Sequence, residues 1–427
     1  MKLHIEKPIY GGAGLARHEG KAVFVPFTLP GEEIDARIVA DKGSYVAAEL
    51  RQVIEPSSAR VEAPCPYFGA CGGCHYQHAA HAVQVEMKVA ILCETLERAR
   101  LRDLPDITTL TGEPFGYRNR IRLHVQPEPF ALCYKHRKSH VNLAVATCPI
   151  SAPALQDAVG VLTREGPEIG IAEWASEVEL FTNHDDSAML AAFWTERPQR
   201  EAQRLLMESW PRLQQRLPEV IGAGVLSVEQ RRQPSRQLAQ VGESALQYQV
   251  GGRRYRVSLG SFFQVNRFFL DRLVELVTKE ASGSAAWDLY AGVGLFSLAL
   301  AERFAAVTAV ESAGSSARDL RENLRGTHHR VVASETAGFL RRTIEQRTPA
   351  PDRIVVDPPR AGLGQEVTTL LGKLRAPRIT YVSCDPPTLG RDLGALVEVG
   401  YSLESIVLVD LFPQTFHLET VSELSLT

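Results

Sequence analysis

The stretch WDLYAGVGLFSLAL, residues 287–300, decides the fold. A short apolar run ends in the turn Gly292-Val293-Gly294, and a second apolar run at helical spacing follows. Glycines at such a turn let a strand pass sharply into a helix whose N-terminus approaches a ligand. Ser297 stands where a dinucleotide fingerprint would carry its third glycine, so the turn alone is a weak signal. Glu311 strengthens it. It closes the next apolar run, AAVTAVE, 19 residues beyond Gly292, where an acid accepts hydrogen bonds from both hydroxyls of a ribose.

Working outward, DRIVVD and RITYVSC are further short apolar runs, and SARDLRENL and QEVTTLLGKL are helical segments between them. This alternation predicts a doubly wound, mostly parallel sheet, a Rossmann-like domain over 251–427. NAD and S-adenosylmethionine both carry the ribose that Glu311 would hold. The run IVVDPPRAGL separates them, because Asp357-Pro358-Pro359 stiffens a loop over the crevice where open α/β sheets bind ligands. A dehydrogenase gives no reason for it, whereas methyltransferases acting on nucleobases often carry an acid or amide followed by prolines there. One strand further on, VSCDPPT (382–388) ends in Cys384, which reads either as a small core residue or as an exposed nucleophile.

The remaining chain divides into two parts. Alternation in KAVFVPF and EIDARIVA, with turns at Gly11-Gly12 and Pro30-Gly31, predicts a small closed β-barrel of the oligonucleotide-binding type over 1–57. Residues 58–250 read as an α+β domain, with a helix expected over 75–104 and Cys93 in its core-facing stripe. Within it, PFGYRNRIRLHVQPEPFALCYKHRKSH (114–140) mixes basic and aromatic side chains. That mixture suits phosphates and unstacked bases, and equally the solvated face of an antiparallel sheet.

The net charge of −3 excludes a uniformly basic nucleic-acid binder, though not a local basic surface. No run approaches eighteen apolar residues, and the N-terminus is charged, so no membrane span, no secretion signal and a cytoplasmic location are expected. The seven cysteines are an odd number, which makes a disulfide framework a poor account and metal or catalysis a better one. CPYFGACGGC (65–74) spaces three of them C-x5-C-x2-C, and Cys133 and Cys148 follow. One close pair, one near and one distant cysteine suit a cubane iron–sulfur cluster better than zinc, with inert thiols a third reading. Spacing does not choose between Cys133 and Cys148 as the fourth ligand.

Taken together, CPYFGACGGCHYQH, FFQVN (262–266), DLYAGVG, DPPRAG, SCDPPTLGRDL and DLFPQTFHLE resemble the RNA uracil-5 methyltransferases. The similarity is greatest to the branch with an N-terminal TRAM barrel and a four-iron, four-sulfur cluster, which modifies 23S ribosomal RNA. The resemblance implies Cys384 as nucleophile and Glu419 as general base. It implies an S-adenosylmethionine pocket formed by Gln264, Tyr290, Gly292, Glu311, Glu335 and Asp357. It also implies Cys65, Cys71, Cys74 and Cys148 as ligands of a 4Fe-4S cluster; because the methylation needs no electron transfer, a folding or RNA-shaping role is expected of it. The expected partner is RNA presenting a flipped uracil, bound by a monomer.

The chain departs from that pattern at Ala291, Leu295, Asp385 and Gly390. Asp385 and Gly390 stand where many relatives show Asn and Ala, and an unpaired acid beside Cys384 would raise the thiol pKa. A transfer RNA uracil-5 methyltransferase, an amino-methyltransferase that uses Asp357-Pro358-Pro359, and a non-catalytic RNA-binding iron–sulfur module are the alternatives.

Overall fold

The computed structural model describes residues 1–101, 104–229, 235–279 and 281–427. The C-terminal part is built on an eight-stranded sheet. Its order is Arg330–Ala333, Phe304–Glu311, Gly283–Leu289, Arg353–Val356, Arg378–Ser383, Glu419–Leu426, Tyr401–Val409 and Ile107–Leu110. The first five strands run parallel. The chain starts at Gly283–Leu289, moves outward on one side, and returns on the other at Arg353–Val356. That reversal opens a crevice at the carboxyl ends of these two strands.

Alternation along the strands buries both faces of the sheet. Ala286, Val355, Val382 and Val421 pack on one side, and Trp287, Ile354, Tyr381 and Leu424 on the other. Helices Gly314–Asn323, Thr336–Glu345, Gly364–Leu374 and Pro386–Glu398 connect the strands.

Strand Glu419–Leu426 is antiparallel to both neighbours. It therefore begins at the edge where the parallel strands end. The pairing of Ser383 with Thr420 sets Cys384 and Glu419 next to one another across those ends.

Six strands within Lys2–Glu55 curl round a core of Leu3, Ile5, Val23, Val25, Ile34 and Val46. The central region is a seven-stranded sheet, from Arg120–Pro127 to Gln237–Gly242, with helices Pro153–Ile169 and Gln199–Arg216. The basic stretch 114–140 supplies its hairpin Arg120–Pro127 and Phe130–Lys135.

The segment 58–250 is not one spatial body. Its helix covers His81–Arg98, shorter than the expected 75–104 (of which residues 102 and 103 lie outside the described residues), because residues 65–80 form loops and turns before it. This helix packs Ile91, Leu92 and Leu96 into the C-terminal core, and strand Ile107–Leu110 adds the edge of the C-terminal sheet. Gly390 allows the close approach of this helix to Pro386–Glu398, since a Cβ there would stand 2.9 Å from that of Ala99. Cys93 is half-buried on the same helix, not in the core as its position in the stripe implied. Among the described residues no helix is long and apolar enough to cross a membrane.

Candidate active site

The crevice at the switch point is a cleft of about 580 Å³. All eight residues expected to bind cofactor or react border it: Gln264, Tyr290, Gly292, Glu311, Glu335, Asp357, Cys384 and Glu419. Its floor is the turn after Gly283–Leu289. Gly292 has φ +56°, and a Cβ at this position would meet nothing within 4 Å, so a side chain there would be strained and would project into open space. The Glu311 carboxylate accepts from the Gly292 amide at 2.8 Å and from the Ala313 amide at 2.6 Å, which fixes it on the cleft wall. Ser297 has its own use in place of a third glycine: its hydroxyl donates to the fully buried Asp288 beneath the turn.

The acids of the cleft reinforce one another. Burial, with Glu311 nearby and against the Ser297 hydrogen bond, raises Asp288 to about 7. Burial and Asp288 raise Asp357 to about 7 as well. Glu419 is buried, and burial together with Asp357 holds it well above the ordinary carboxylate range. The half-buried Cys384 thiol is pushed up to about 12 by burial, Glu419 and Asp357, with Arg360 opposing. Arg360 is the fixed positive charge among the described residues that border the cleft, and its Nη2 lies 3.4 Å from His417 Nδ1.

Asp385 does not present an unpaired charge to that thiol. It caps helix Pro386–Glu398: its Oδ2 accepts from the Thr388 amide at 3.1 Å and the Thr388 hydroxyl at 3.1 Å. Its Oδ1 accepts from the Tyr10 hydroxyl at 3.0 Å.

Cys65, Cys71, Cys74 and Cys148 border a second cavity, of about 540 Å³. Cys133 is not among them and lies fully buried on strand Phe130–Lys135. Arg118, Lys135 and Lys138 line the same cavity with His136 and His140. Of the other arginines of 114–140, Arg120 and Arg122 are engaged within the sheet, and Arg137 lies 4.8 Å over the Phe27 ring of the barrel. Arg120 lies 4.0 Å over the Phe181 ring, and Arg122 lies 3.7 Å over Trp194 and pairs with Glu177. Burial pushes Cys74 up to about 12, and the three other thiols add to this. Among the described residues no three His, Cys, Asp or Glu side chains are gathered as one metal ion would require.

The loop 410–418, which leads into Glu419, borders the cleft at Phe412 and His417 and is tied to the chain that follows the cluster cysteines. The amides of His75 and Tyr76, directly after Cys74, donate to Gln414 O at 2.8 and 3.0 Å. Gln84 accepts from the Gln414 amide and donates to its side chain. The fully buried Lys88 donates to Asp410 at 2.6 Å and to Phe412 O at 3.0 Å, and His81 lies 2.7 Å from the same carboxylate. Tyr117 and Asn266 donate to Pro413 O and Leu411 O. Sequence reasoning missed this scaffold. A lysine inside the apolar stripe of EMKVAIL was the one available signal.

A doubly wound sheet with an acid-lined cleft at its switch point, preceded by a small barrel, defines an α/β methyltransferase with an N-terminal accessory domain. Comparison gives the family. The tRNA (uracil-5-)-methyltransferase family matches residues 203–425, and the TRAM domain matches residues 1–50. An RNA methyltransferase of Aquifex aeolicus is 32% identical over 99% of this chain and 97% of its own. The 23S rRNA (uracil(1939)-C(5))-methyltransferase RlmD of Pectobacterium atrosepticum is 30% identical over 96% of this chain and 90% of its own. The crystal structure of Pyrococcus abyssi tRNA (uracil-54, C5)-methyltransferase in complex with S-adenosyl-L-homocysteine shares the fold, with a TM-score of 0.79 at 23% identity, and covers 99% of this chain and 100% of that one. The chain belongs to the RNA uracil-5 methyltransferase family.

Proposed function

We propose that this enzyme methylates C5 of a uridine in 23S ribosomal RNA, through a covalent bond between Cys384 and C6 of the base. The convergence of the eight residues on one cleft carries this reading. S-adenosylmethionine supplies the methyl group. The cleft suits it: Glu311 stands ready for the ribose, and the acids Asp357 and Glu419 attract a sulfonium. A positive ligand there would also lower the pKa values that burial and mutual repulsion have raised.

Uracil C5 is too weak a nucleophile to take a methyl group unaided. The Cys384 thiolate, favoured by Arg360, adds to C6 and forms the S–C6 bond, and the C5–C6 π electrons move to C5. C5 then takes the methyl group, and the electron pair of the broken S–CH3 bond stays on the departing sulfur. Glu419 removes the proton from C5, the double bond re-forms, and Cys384 leaves as thiolate. The base must be flipped out of its stack to reach this cleft.

The 23S target is supported by RlmD relatives at about 30% identity over nearly the whole chain. A transfer RNA target is the second reading, favoured by the name of the matching family. Cys65, Cys71, Cys74 and Cys148 would hold a 4Fe-4S cluster. Four thiols with three flanking cations are a donor set suited to an anionic, thiolate-held cluster, and the spacing of one close pair with one near and one distant cysteine favours it over zinc. The methylation needs no electron transfer, so the cluster's part is to hold the 65–80 loops. The division at 1–57, 58–250 and 251–427 is proposed as barrel, RNA-binding and catalytic segments, with helix His81–Arg98 and strand Ile107–Leu110 of the second completing the catalytic sheet, in a cytoplasmic monomer.

Release of tritium from [5-³H]uracil in 23S and transfer RNA tests the reaction and the target together. Release from 23S RNA alone is the expected result. Methyl incorporation without tritium release would move the reaction to another atom.

A further inference from the structure

Tyr10 follows strand Lys7–Ile9 in the N-terminal barrel, yet its side chain reaches the nucleophile loop at the far end of the sequence. Its hydroxyl donates to Asp385 Oδ1 at 3.0 Å, across 375 residues of chain. Its ring meets Phe416 edge-on, with centroids 5.4 Å apart, and Phe416 packs on His417 at 4.3 Å and His75 at 4.6 Å. One barrel side chain therefore touches the residue after Cys384 and the loop that leads into Glu419.

The position of the Asp385 carboxylate matters because of what else faces the thiol. Glu419 comes from the antiparallel strand, Asp357 and Arg360 from the loop after Arg353–Val356, and Asp385 from the thiol's own loop. Three acids against one guanidinium leave no room for a carboxylate to swing towards the sulfur without cost. Thr388 engages one oxygen of Asp385 through amide and hydroxyl. The other oxygen is engaged by Tyr10. A hydroxyl donating to a carboxylate is among the stronger neutral-to-charged contacts, so this bond fixes the orientation of the group.

We infer that Tyr10 is a positioning residue, through which the seated barrel holds the Asp385 charge in the helix cap and so keeps the Cys384 thiol reactive. Barrel placement is thereby coupled to the chemistry. The inference rests on Cys384 being the reacting thiol, but its test reads alkylation of that thiol and not methyl transfer. Failure of the two readings is therefore distinguishable.

The test is the rate of iodoacetamide alkylation of Cys384 in the full-length protein against pH, read by mass spectrometry of the Cys384 peptide. Tyr10→Phe keeps the ring against Phe416 and removes only the hydroxyl. It should move the profile to higher pH and slow alkylation about three- to tenfold below the midpoint, the effect of a half- to one-unit shift on the thiolate fraction. Asp385→Asn keeps the cap and removes the charge, so it should move the profile to lower pH. In the Asp385→Asn background, Tyr10→Phe should add no further shift. A Tyr10→Phe profile that superimposes on the parent overturns the inference. So does a shift that persists undiminished in the Asp385→Asn background, which would mark a role of the hydroxyl independent of the Asp385 charge.

Discussion

Two cavities of similar size use cysteine in opposite surroundings. In the cleft at the switch point a single thiol, Cys384, stands among Asp357, Glu419 and Asp385 with Arg360 opposing. In the second cavity four thiols stand among Arg118, Lys135 and Lys138. Burial and the neighbouring acids keep the Cys384 thiol protonated, and the proposed nucleophile would be activated when a cation arrives beside those acids. In the second cavity burial and the mutual repulsion of the thiols also raise Cys65, Cys71 and Cys74, and the proposed ligand role would have a bound positive centre relieve that repulsion for all of them together. Residue type is the same, and the two cavities differ in how many thiols they gather and in the sign of the charges around them.

The sharpest way to break this comparison is to remove one cysteine from each cavity. Cys384→Ala should reduce methyl transfer to background and leave bound iron unchanged. Cys74→Ser should remove iron, read by absorbance and metal analysis, while the Cys384 peptide is still alkylated. Loss of iron in the first variant, or methylation at the parental rate, would merge what is separated here.

The next test concerns the connection between the cavities. Lys88→Met leaves the buried Asp410 with His81 as its remaining side-chain partner. It should cost roughly 3–5 kcal/mol, the usual consequence of breaking a buried ion pair from one side, and be seen as a lower Tm. Burial alone would raise Asp410, but Lys88 and His81 overcome it and hold the carboxyl below its ordinary value. A change within about 0.5 kcal/mol, the size typical of surface sites, would show the loop 410–418 to be held by its other bonds alone.

A smaller effect distinguishes the acid cleft by its pH response. Asp288 has a folded-state pKa of about 7, against 3.8 for the ordinary carboxyl. The folded chain therefore holds a proton that the unfolded chain has lost, and stability falls as pH rises through that window, then levels. Asp288→Asn should flatten the slope of Tm between about pH 4 and 7 relative to the parent. Parallel curves for the two proteins would remove Asp288 from the account.

The methyltransferase domain was largely legible because its signals are local. The glycine turn, the acid closing the next strand and the proline-braced loop each sit within a few residues of a strand end, and the fold brings strand ends together. The cysteine set was legible in part, since spacing left Cys133 open and the hairpin register then buried it away from the cavity. Partners joined by long sequence separations were not legible. Tyr10 and Asp385, Lys88 and Asp410, and strand Ile107–Leu110 beside Tyr401–Val409 depend on how whole elements dock. For the same reason the doubt over Asp385 could be raised from sequence and answered only by the barrel.

The central claim is the covalent bond between Cys384 and the base, and Glu419→Gln tests it most directly. The variant should still add Cys384 to uracil and accept the methyl group, but should fail to remove the C5 proton. Incubated with RNA and S-adenosylmethionine and resolved under denaturing conditions, it should accumulate an RNA-linked chain, with mass spectrometry placing a methylated uridine on Cys384. Free 5-methyluridine formed at the parental rate, with no linked species, would contradict the account.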